Sequence, residues 1–173
     1  MDIKYNSSIN NPNLSIKSYI FFACIITLVF CLQVVFLNSL PFFYGTANLL
    51  LVVAIILSIL EGEYIGFFVG LICGALLDIW LNTWFINSFL FSLLAVGFGY
   101  IGNHIAKKNV ITVIFSVMFA TFLFEGISAL IFCRTEIQYA GLIFLNILIP
   151  HIIYNSVLSL PVYSICHFTL KLR

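Results

Sequence analysis

Charged residues are scarce in this sequence. Of 173 residues, 8% are charged and 63% are hydrophobic, and the mean hydropathy is +1.19. A soluble domain carries about 25% charged residues and roughly 45–50% apolar residues. So few charges cannot cover the surface of a water-soluble protein of this length. The composition therefore predicts an integral membrane protein that crosses the bilayer several times.

Strong net charge and paired cysteines are also missing. The net charge is +1, which gives no electrostatic reason to expect nucleic acid or an acidic substrate as a ligand. The five cysteines form no C-x-x-C pair, and most lie in apolar runs, where a thiol behaves as a small hydrophobic group. An odd number without ligand spacing argues against a disulfide framework and against a zinc site. We expect neither a metal nor a cofactor.

The sequence also lacks the usual signatures of catalysis. It contains no H-E-x-x-H pair, no Ser-His-Asp order and no phosphate-binding glycine loop after a strand. Two intramembrane aspartates would be typical of one class of membrane protease, but the apolar runs contain only one. We therefore expect a protein without enzymatic activity.

Six apolar runs are long enough to predict membrane-spanning helices, which need about 20 mostly apolar residues. The first 17 residues are polar and are predicted to be a cytoplasmic segment, while 18–170 are predicted to form a single all-α bundle. A break is expected near Pro41 and Gly45, a tight turn at 61–63, and a kinked last helix at Pro150 and Pro161. The predicted spans are 18–38, 46–60, 64–81, 85–105, 110–132 and 140–165.

The positive charges predict the orientation of these six spans. Positive residues collect on the cytoplasmic side of membrane proteins, and Arg134 alone falls opposite the other six. Both termini are therefore predicted to be cytoplasmic. Trp80 and Trp84 would then mark the outer interface, where indole rings are favoured. The six cations on the terminal side are Lys4, Lys17, Lys107, Lys108, Lys171 and Arg173.

The third span carries a regular row of glycines in "GFFVGLICGALLD". Gly66, Gly70 and Gly74 recur at every fourth position, and the next step is Asp78. Residues four apart share one helix face, and small residues there allow close helix association in lipid. Asp78 should therefore point toward protein. A hydrogen bond to a neighbouring helix and a ligand contact are equally open, and so is an interfacial aspartate that ends the helix.

Further intramembrane polar residues occur in the last two spans. Glu125 lies in "FLFEGIS", and "PHIIYN" places His151 and Asn155 four residues apart. Ionisable residues in membrane spans normally face the bundle interior or a wet cavity. Because their depths agree, we predict that Asp78, Glu125, His151 and Asn155 form one polar cluster in the outer half of the bundle. The alternative is a set of separate hydrogen bonds between helices.

With these motifs, the sequence resembles the rod shape-determining protein MreD family. Members typically show Gly-x-x-x-Gly-x-x-x-Asp after a tight cytoplasmic turn, as at Gly70, Gly74 and Asp78. The chain departs from the family at Ala47 and Asn48, where Pro-Asp is common, and it has Ile86 and Asn87 where a glycine is frequent. Further matches are "GYIG" from Gly99 to Gly102, then Tyr154, Asn155, Leu160, Pro161 and Tyr163.

The resemblance implies a non-enzymatic subunit of the bacterial cell-elongation complex. Such proteins are partners of the bitopic protein MreC and act with MreB filaments, RodZ, RodA and a class B penicillin-binding protein. The predicted surface for helix packing or partner binding consists of Gly66, Gly70, Gly74, Gly99 and Gly102.

The bundle of that family is also similar to the substrate-binding S components of energy-coupling factor transporters. That similarity gives the alternative function, which is binding of a small vitamin-like ligand. Binding of a lipid or a lipid-linked precursor in a lateral groove is a third hypothesis, and it depends on the polar cluster alone.

Overall fold

A computed structural model of the chain describes residues 16–37, 47–104, 108–132 and 140–171. Those ranges contain six α-helices and no strand, so the predicted all-α fold is confirmed there. A five-residue π-helical segment, Gln33–Leu37, continues α1. The helices are α1 Ile16–Leu32, α2 Leu49–Glu61, α3 Glu63–Leu81, α4 Ile86–His104, α5 Val110–Phe132 and α6 Ala140–Lys171.

Four of these helices are long and apolar enough to cross a membrane, namely α3, α4, α5 and α6. The other two, α1 and α2, are apolar but shorter, with 17 and 13 residues. The bounds of α3, α4 and α5 lie within one residue of the predicted spans. These bounds follow from the apolar runs, because a chain in lipid must satisfy its backbone hydrogen bonds within each helix.

The short helix α2 forms the centre of the bundle. Twelve of its 13 residues are buried, and it contacts α1, α3, α4, α5 and α6. At 1.5 Å per residue, α2 is roughly 20 Å long, which is less than the roughly 30 Å hydrocarbon core. The helices α2 and α3 run back from one shared turn, and α3 has 19 residues whereas α2 has 13. The N-terminus of α2 therefore stops short of the far end of α3 and lies inside the bundle.

The predicted tight turn between α2 and α3 is confirmed and consists of Gly62 alone. Its φ of 99° lies in the region that favours glycine. The Gly62 N–H donates to the Ser58 carbonyl at 2.8 Å, and the Gly62 carbonyl accepts from the Gly66 N–H at 2.9 Å. The turn therefore ends one helix and begins the next without an intervening loop.

The connection between α3 and α4 lies at the opposite end of these helices. Asn82 and Phe85 both have a positive φ, at 55° and 52°. Trp80 and Trp84 are exposed here, with Trp84 at 89%. This is the end of the bundle where the sequence predicts an interfacial pair of indole rings.

The last helix, α6, is a single helix of 32 residues that runs through Pro150 and Pro161. It ends six residues beyond the predicted limit of 165. The kink at the two prolines stays a prediction. Several other predictions fall outside the described residues: the break at Pro41 and Gly45, the polar segment up to residue 15, and the cations Lys4, Lys107, Arg134 and Arg173.

Candidate functional site

The carboxylate of Asp78 is buried near the end of α3, with 4% of the residue exposed. Oδ1 accepts hydrogen bonds from the Thr83 hydroxyl at 2.5 Å, the Asn87 N–H at 3.1 Å and the Asn87 Nδ2 at 3.0 Å. Oδ2 accepts from the Ser88 N–H at 2.8 Å and the Ser88 hydroxyl at 2.5 Å. Five donors thus converge on one carboxylate.

This arrangement caps the N-terminus of α4. The first N–H groups of a helix lack partners within the helix, and Asn87 and Ser88 are the second and third residues of α4. A carboxylate there satisfies both N–H groups and interacts favourably with the helix dipole. A carboxylate offers about four lone-pair sites, and five donors already occupy them. Of the open alternatives, the structure supports a hydrogen bond to a neighbouring helix.

The three glycines of α3 lie against other helices of the same chain. A Cβ added to Gly70 would approach the Phe91 carbonyl oxygen of α4 to 2.7 Å, and one on Gly74 would approach the Asn87 oxygen to 2.6 Å. Gly66 faces the Ser58 side chain of α2. Any side chain at Gly70 or Gly74 would force α3 and α4 apart, because the neighbouring atoms belong to the backbone.

The two predicted glycines of α4 pack against the end of α2 and the start of α3. A Cβ on Gly99 would lie 2.7 Å from the Glu63 Cα, and one on Gly102 would lie 2.8 Å from the Ile59 carbonyl oxygen. Ser58 also donates its hydroxyl to the Ala95 carbonyl of α4. All five predicted glycines therefore pack against other helices of the chain, which leaves no room at these positions for a helix of another protein.

A second set of polar contacts surrounds the buried N-terminus of α2. The Asn48 N–H donates to the Asn155 Oδ1 of α6 at 2.9 Å. The Leu50 N–H donates to the Gln33 Oε1 at 2.9 Å, and the Leu51 N–H donates to the Asn48 Oδ1 at 3.2 Å. Unpaired N–H groups at this depth would cost several kcal/mol each in hydrocarbon, so these side chains allow α2 to begin inside the bundle.

Asn155 links three helices through this contact. It is fully buried, and its Nδ2 donates to the Thr121 hydroxyl of α5 at 3.1 Å. Its side chain thus uses the carbonyl oxygen for α2 and the amide nitrogen for α5. The sequence predicts Asn155 as a polar residue of the interior, but it does not predict the residues that Asn155 bonds to.

The sequence-based prediction does not include three polar residues of the interior, namely Gln33, Asn48 and Thr121. Gln33 occupies the first position of the π-helical segment. A lone amide within an apolar run is the signal that was available for Gln33, because such a group needs a partner in lipid. Asn48 carried a further signal, since an asparagine directly before an apolar run is a common helix cap.

Glu125 and His151 form a direct contact between α5 and α6. The Glu125 Oε1 lies 2.7 Å from the His151 Nδ1, and the two side chains are 17% and 13% exposed. Thr121 precedes Glu125 by four residues, and Asn155 follows His151 by four. The two contacts are therefore adjacent steps of one polar α5–α6 interface.

The hydrogen bonds divide the four residues of the predicted cluster into two groups. Glu125, His151 and Asn155 belong to the α5–α6 interface. Asp78 instead bonds within the α3–α4 corner. Similar depth along the helices is thus a poor guide to contact, because it does not specify which helix faces meet.

Polar contacts also join the helices at the end that contains the Gly62 turn. The Lys108 ammonium group donates to the Leu60 carbonyl of α2 at 2.8 Å. Asn103 donates to the Glu63 carboxylate at 2.7 Å, and the Tyr163 hydroxyl donates to the Lys108 carbonyl at 3.0 Å. Burial lowers the pKa of Lys108 below its ordinary value, and the nearby Glu61 carboxylate partly opposes that change.

Comparisons with known proteins give no further assignment. The sequence matches no protein-family model, no curated protein and no solved structure. Within the described ranges, no group of three His, Cys, Asp or Glu side chains is placed to hold a metal ion. What the site shows directly is therefore a network of hydrogen bonds that holds apolar helices together.

Proposed function

We propose that this chain is a non-enzymatic membrane subunit of the bacterial cell-elongation complex and a member of the MreD family. In this role it binds an MreC-like bitopic protein and helps couple MreB filaments to peptidoglycan synthesis and cell shape. RodZ, RodA and a class B penicillin-binding protein are further partners under the proposal. The basis is the resemblance carried by Gly70, Gly74 and Asp78.

One observation favours a scaffold over a ligand-binding protein. Several intramembrane polar side chains of the described residues are already paired with other parts of the chain: Asp78 caps α4, while Gln33 and Asn155 cap α2. A small-molecule site needs a few polar groups that converge on the ligand. Here those groups stabilise the fold, which fits a protein that acts by holding a shape and presenting a surface.

The outer faces of the helices offer that surface. Phe68 on α3 and Phe89 on α4 are 64% and 66% exposed, and both would contact lipid or the span of a partner. Close approach between helices in lipid depends on van der Waals packing and hydrogen bonds rather than on the hydrophobic effect. Under the proposal, a single-span partner binds such an apolar face by packing.

The proposed location is the bacterial inner membrane, with both termini in the cytoplasm. The positive-inside rule supports this orientation through the six cations on the terminal side. It places the Gly62 turn and Lys108 at the cytoplasmic end, and Trp80 and Trp84 at the outer end. Reporter fusions at the two termini and in the 82–85 connection test it: cytoplasmic reporters should be active at both termini and inactive in the connection.

The decisive test of the function is co-purification from the native membrane in mild detergent. Tagged full-length chain should retain an MreC-like bitopic protein, and depletion of the chain should round the cells. Normal cell shape after depletion, together with purification of the chain alone, would overturn the proposal.

The alternative is an S component that binds a vitamin-like ligand. The specific observation in its favour is that α2 begins inside the bundle, since interrupted helices with buried N-termini are typical of substrate sites in transporters. In this chain Asn155 and Gln33 already occupy N–H groups at that terminus. Native mass spectrometry of the freshly extracted protein distinguishes the two: a retained small molecule supports the S component, and its absence supports the scaffold.

A further inference from the structure

Pro161 lies on a face of α6 that no described helix covers. The helix continues through this proline and packs against α2 and α5. Val157 and Leu160 are 60% and 45% exposed, and Pro161 and Ser164 are exposed as well. Their spacing of three or four residues places these side chains on one side of the helix. We call this surface, formed by Val157, Leu160, Pro161 and Ser164, the Pro161 face.

The proline changes the hydrogen bonding of the helix at this face. In an α-helix, each N–H donates to the carbonyl four residues earlier, and proline has no N–H. The Val157 carbonyl therefore lacks the donor that residue 161 supplies in an ordinary helix. Because residue 161 is exposed, the position of the missing donor lies on the Pro161 face and not between α6 and a neighbouring helix.

The hydroxyl groups of the helix donate elsewhere. Serine and threonine side chains commonly pair with carbonyls that a proline frees in membrane helices. Three serines flank Pro161, and each donates its hydroxyl to a different carbonyl. The bonds run from Ser156 to Ile152 at 2.6 Å, from Ser159 to Ser156 at 2.6 Å and from Ser164 to Leu160 at 2.9 Å. None of these three bonds ends at the Val157 carbonyl.

The depth of Val157 determines what can supply a donor. Val157 lies near the middle of the apolar segment Leu148–Phe168, and at that depth the bilayer holds no water to pair with a backbone carbonyl. Acyl chains carry no donor, and the polar headgroups lie at the surfaces of the bilayer. A serine or threonine hydroxyl on a second transmembrane helix meets the requirement, because such side chains hydrogen-bond across helices in lipid.

We propose that the Pro161 face is a docking surface for a transmembrane helix of another membrane protein, which donates a mid-membrane hydroxyl to the Val157 carbonyl. The side chains of Val157 and Leu160 pack against apolar side chains of that helix around the hydrogen bond. The inference requires only a helix with this chemistry. It therefore does not depend on the proposed function, and failure of either leaves the other standing.

The test measures binding of a synthetic oligo-leucine transmembrane peptide to the full-length protein in lipid vesicles, by energy transfer between fluorophores on the two. One peptide carries a single serine at its centre, and the matched peptide carries alanine there. A central serine meets the depth of Val157 in either orientation of the peptide. One hydrogen bond between helices in lipid predicts that the serine peptide binds about 3-fold to 16-fold more tightly than the alanine peptide.

Substitution of the proline separates the hydrogen bond from the shape of the face. Pro161→Leu restores the N–H that pairs with the Val157 carbonyl, so the two peptides should then bind equally. Pro161→Ala restores the same N–H with a smaller side chain and should give the same result. Pro150→Leu, at another depth of α6, is the matched control and should keep the preference for serine. The proposal is overturned if wild type binds both peptides equally, or if the preference survives in both Pro161 variants.

The other candidate occupant of the Pro161 face is a second copy of this chain. Energy transfer between two labelled wild-type copies, without peptide, measures that association. If this transfer is lost in Pro161→Leu, a second copy covers the face and the choice of another protein is overturned. Copies that stay apart, or that associate equally in wild type and in Pro161→Leu, support docking of another protein.

Discussion

The Ser88 N–H and hydroxyl of α4 both donate to the Asp78 Oδ2 of α3, at 2.8 Å and 2.5 Å. The last turn of one helix thereby caps the first turn of the next, across a connection of four residues. In the same corner, Gly74 brings the two backbones close enough for this contact. The glycine row and its terminal aspartate are therefore two parts of one helix–helix joint.

Replacement of Asp78 should destabilise the bundle strongly. Asp78→Ala leaves the N–H groups of Asn87 and Ser88 without their acceptor. Hydrogen bonds to charged groups contribute about 1.5–3 kcal/mol each, so we expect a loss of about 3 kcal/mol or more. Asp78→Asn keeps one oxygen acceptor and should cost less. Detergent unfolding curves measure both, and an Asp78→Ala curve that overlays wild type would refute the capping role.

Substitution of the close-packed glycines should be far more damaging than substitution of an open one. Gly74→Ala forces the α3 and α4 backbones apart and should cost about 1–3 kcal/mol or more, as overpacking does. Gly97→Ala is the matched control: its Cβ meets nothing, and alanine favours a helix by about 1 kcal/mol. Thermal unfolding of the two variants should therefore shift in opposite directions.

A bulky substitution at Gly70 should be more damaging than a substitution at Asp78 that preserves its shape. Gly70→Leu adds a bulky side chain where even a Cβ would approach the Phe91 carbonyl to 2.7 Å, whereas Asp78→Asn preserves shape. We expect Gly70→Leu to impair folding and assembly more than Asp78→Asn. Size-exclusion profiles of the extracted proteins provide the measurement, and a normal profile for Gly70→Leu would contradict the packing assignment.

Removal of the side chains that cap α2 should lower the stability of the fold, because α2 begins inside the bundle. Asn155→Leu breaks the bonds to the Asn48 N–H and to Thr121, and Gln33→Met breaks the bond to the Leu50 N–H. An unsatisfied buried donor costs about 1–3 kcal/mol, so Asn155→Leu should be the more harmful change. Thr27→Val on the exposed face of α1 is the control. Equal unfolding midpoints for Asn155→Leu and Thr27→Val would exclude this capping function.

Stability should depend on Lys108 at alkaline pH. Burial lowers the pKa of Lys108 in the folded chain, so the unfolded chain binds more protons between the folded and unfolded pKa values. The free energy of unfolding should therefore rise with pH across that window. Lys108→Gln keeps a donor for the Leu60 carbonyl but does not titrate there. Unfolding curves of both proteins from neutral pH upward should show the rise in wild type only.

Most of the helical architecture follows from the sequence. Apolar runs of spanning length, the "EGE" turn and the charge scarcity predicted an all-α bundle and placed α3, α4 and α5 within one residue of their observed bounds. The hydrogen bonds of Asp78 are also partly local, since its partners lie five to ten residues away. A polar Asn-Ser pair at the start of the next helix was the available signal.

The remaining contacts could not be predicted from the sequence. The bond between the Asn48 N–H and Asn155 spans 107 residues, and the one between Glu125 and His151 spans 26. Which polar residues meet depends on the rotation and register of each helix against its neighbours. The periodicity of a sequence shows which face of a helix is polar, but it does not show which face of a neighbouring helix that face meets.

The sequence by itself determined that this chain folds as apolar helices, because lipid leaves the backbone no other hydrogen-bond partners. Only the tertiary structure decided that α2 is a buried central helix, that the glycines pack within the chain, and that Asp78 caps α4 apart from the α5–α6 pair. The physical reason is that packing between helices in lipid depends on matched shapes and paired polar groups. Those matches exist only once all the helices are in place.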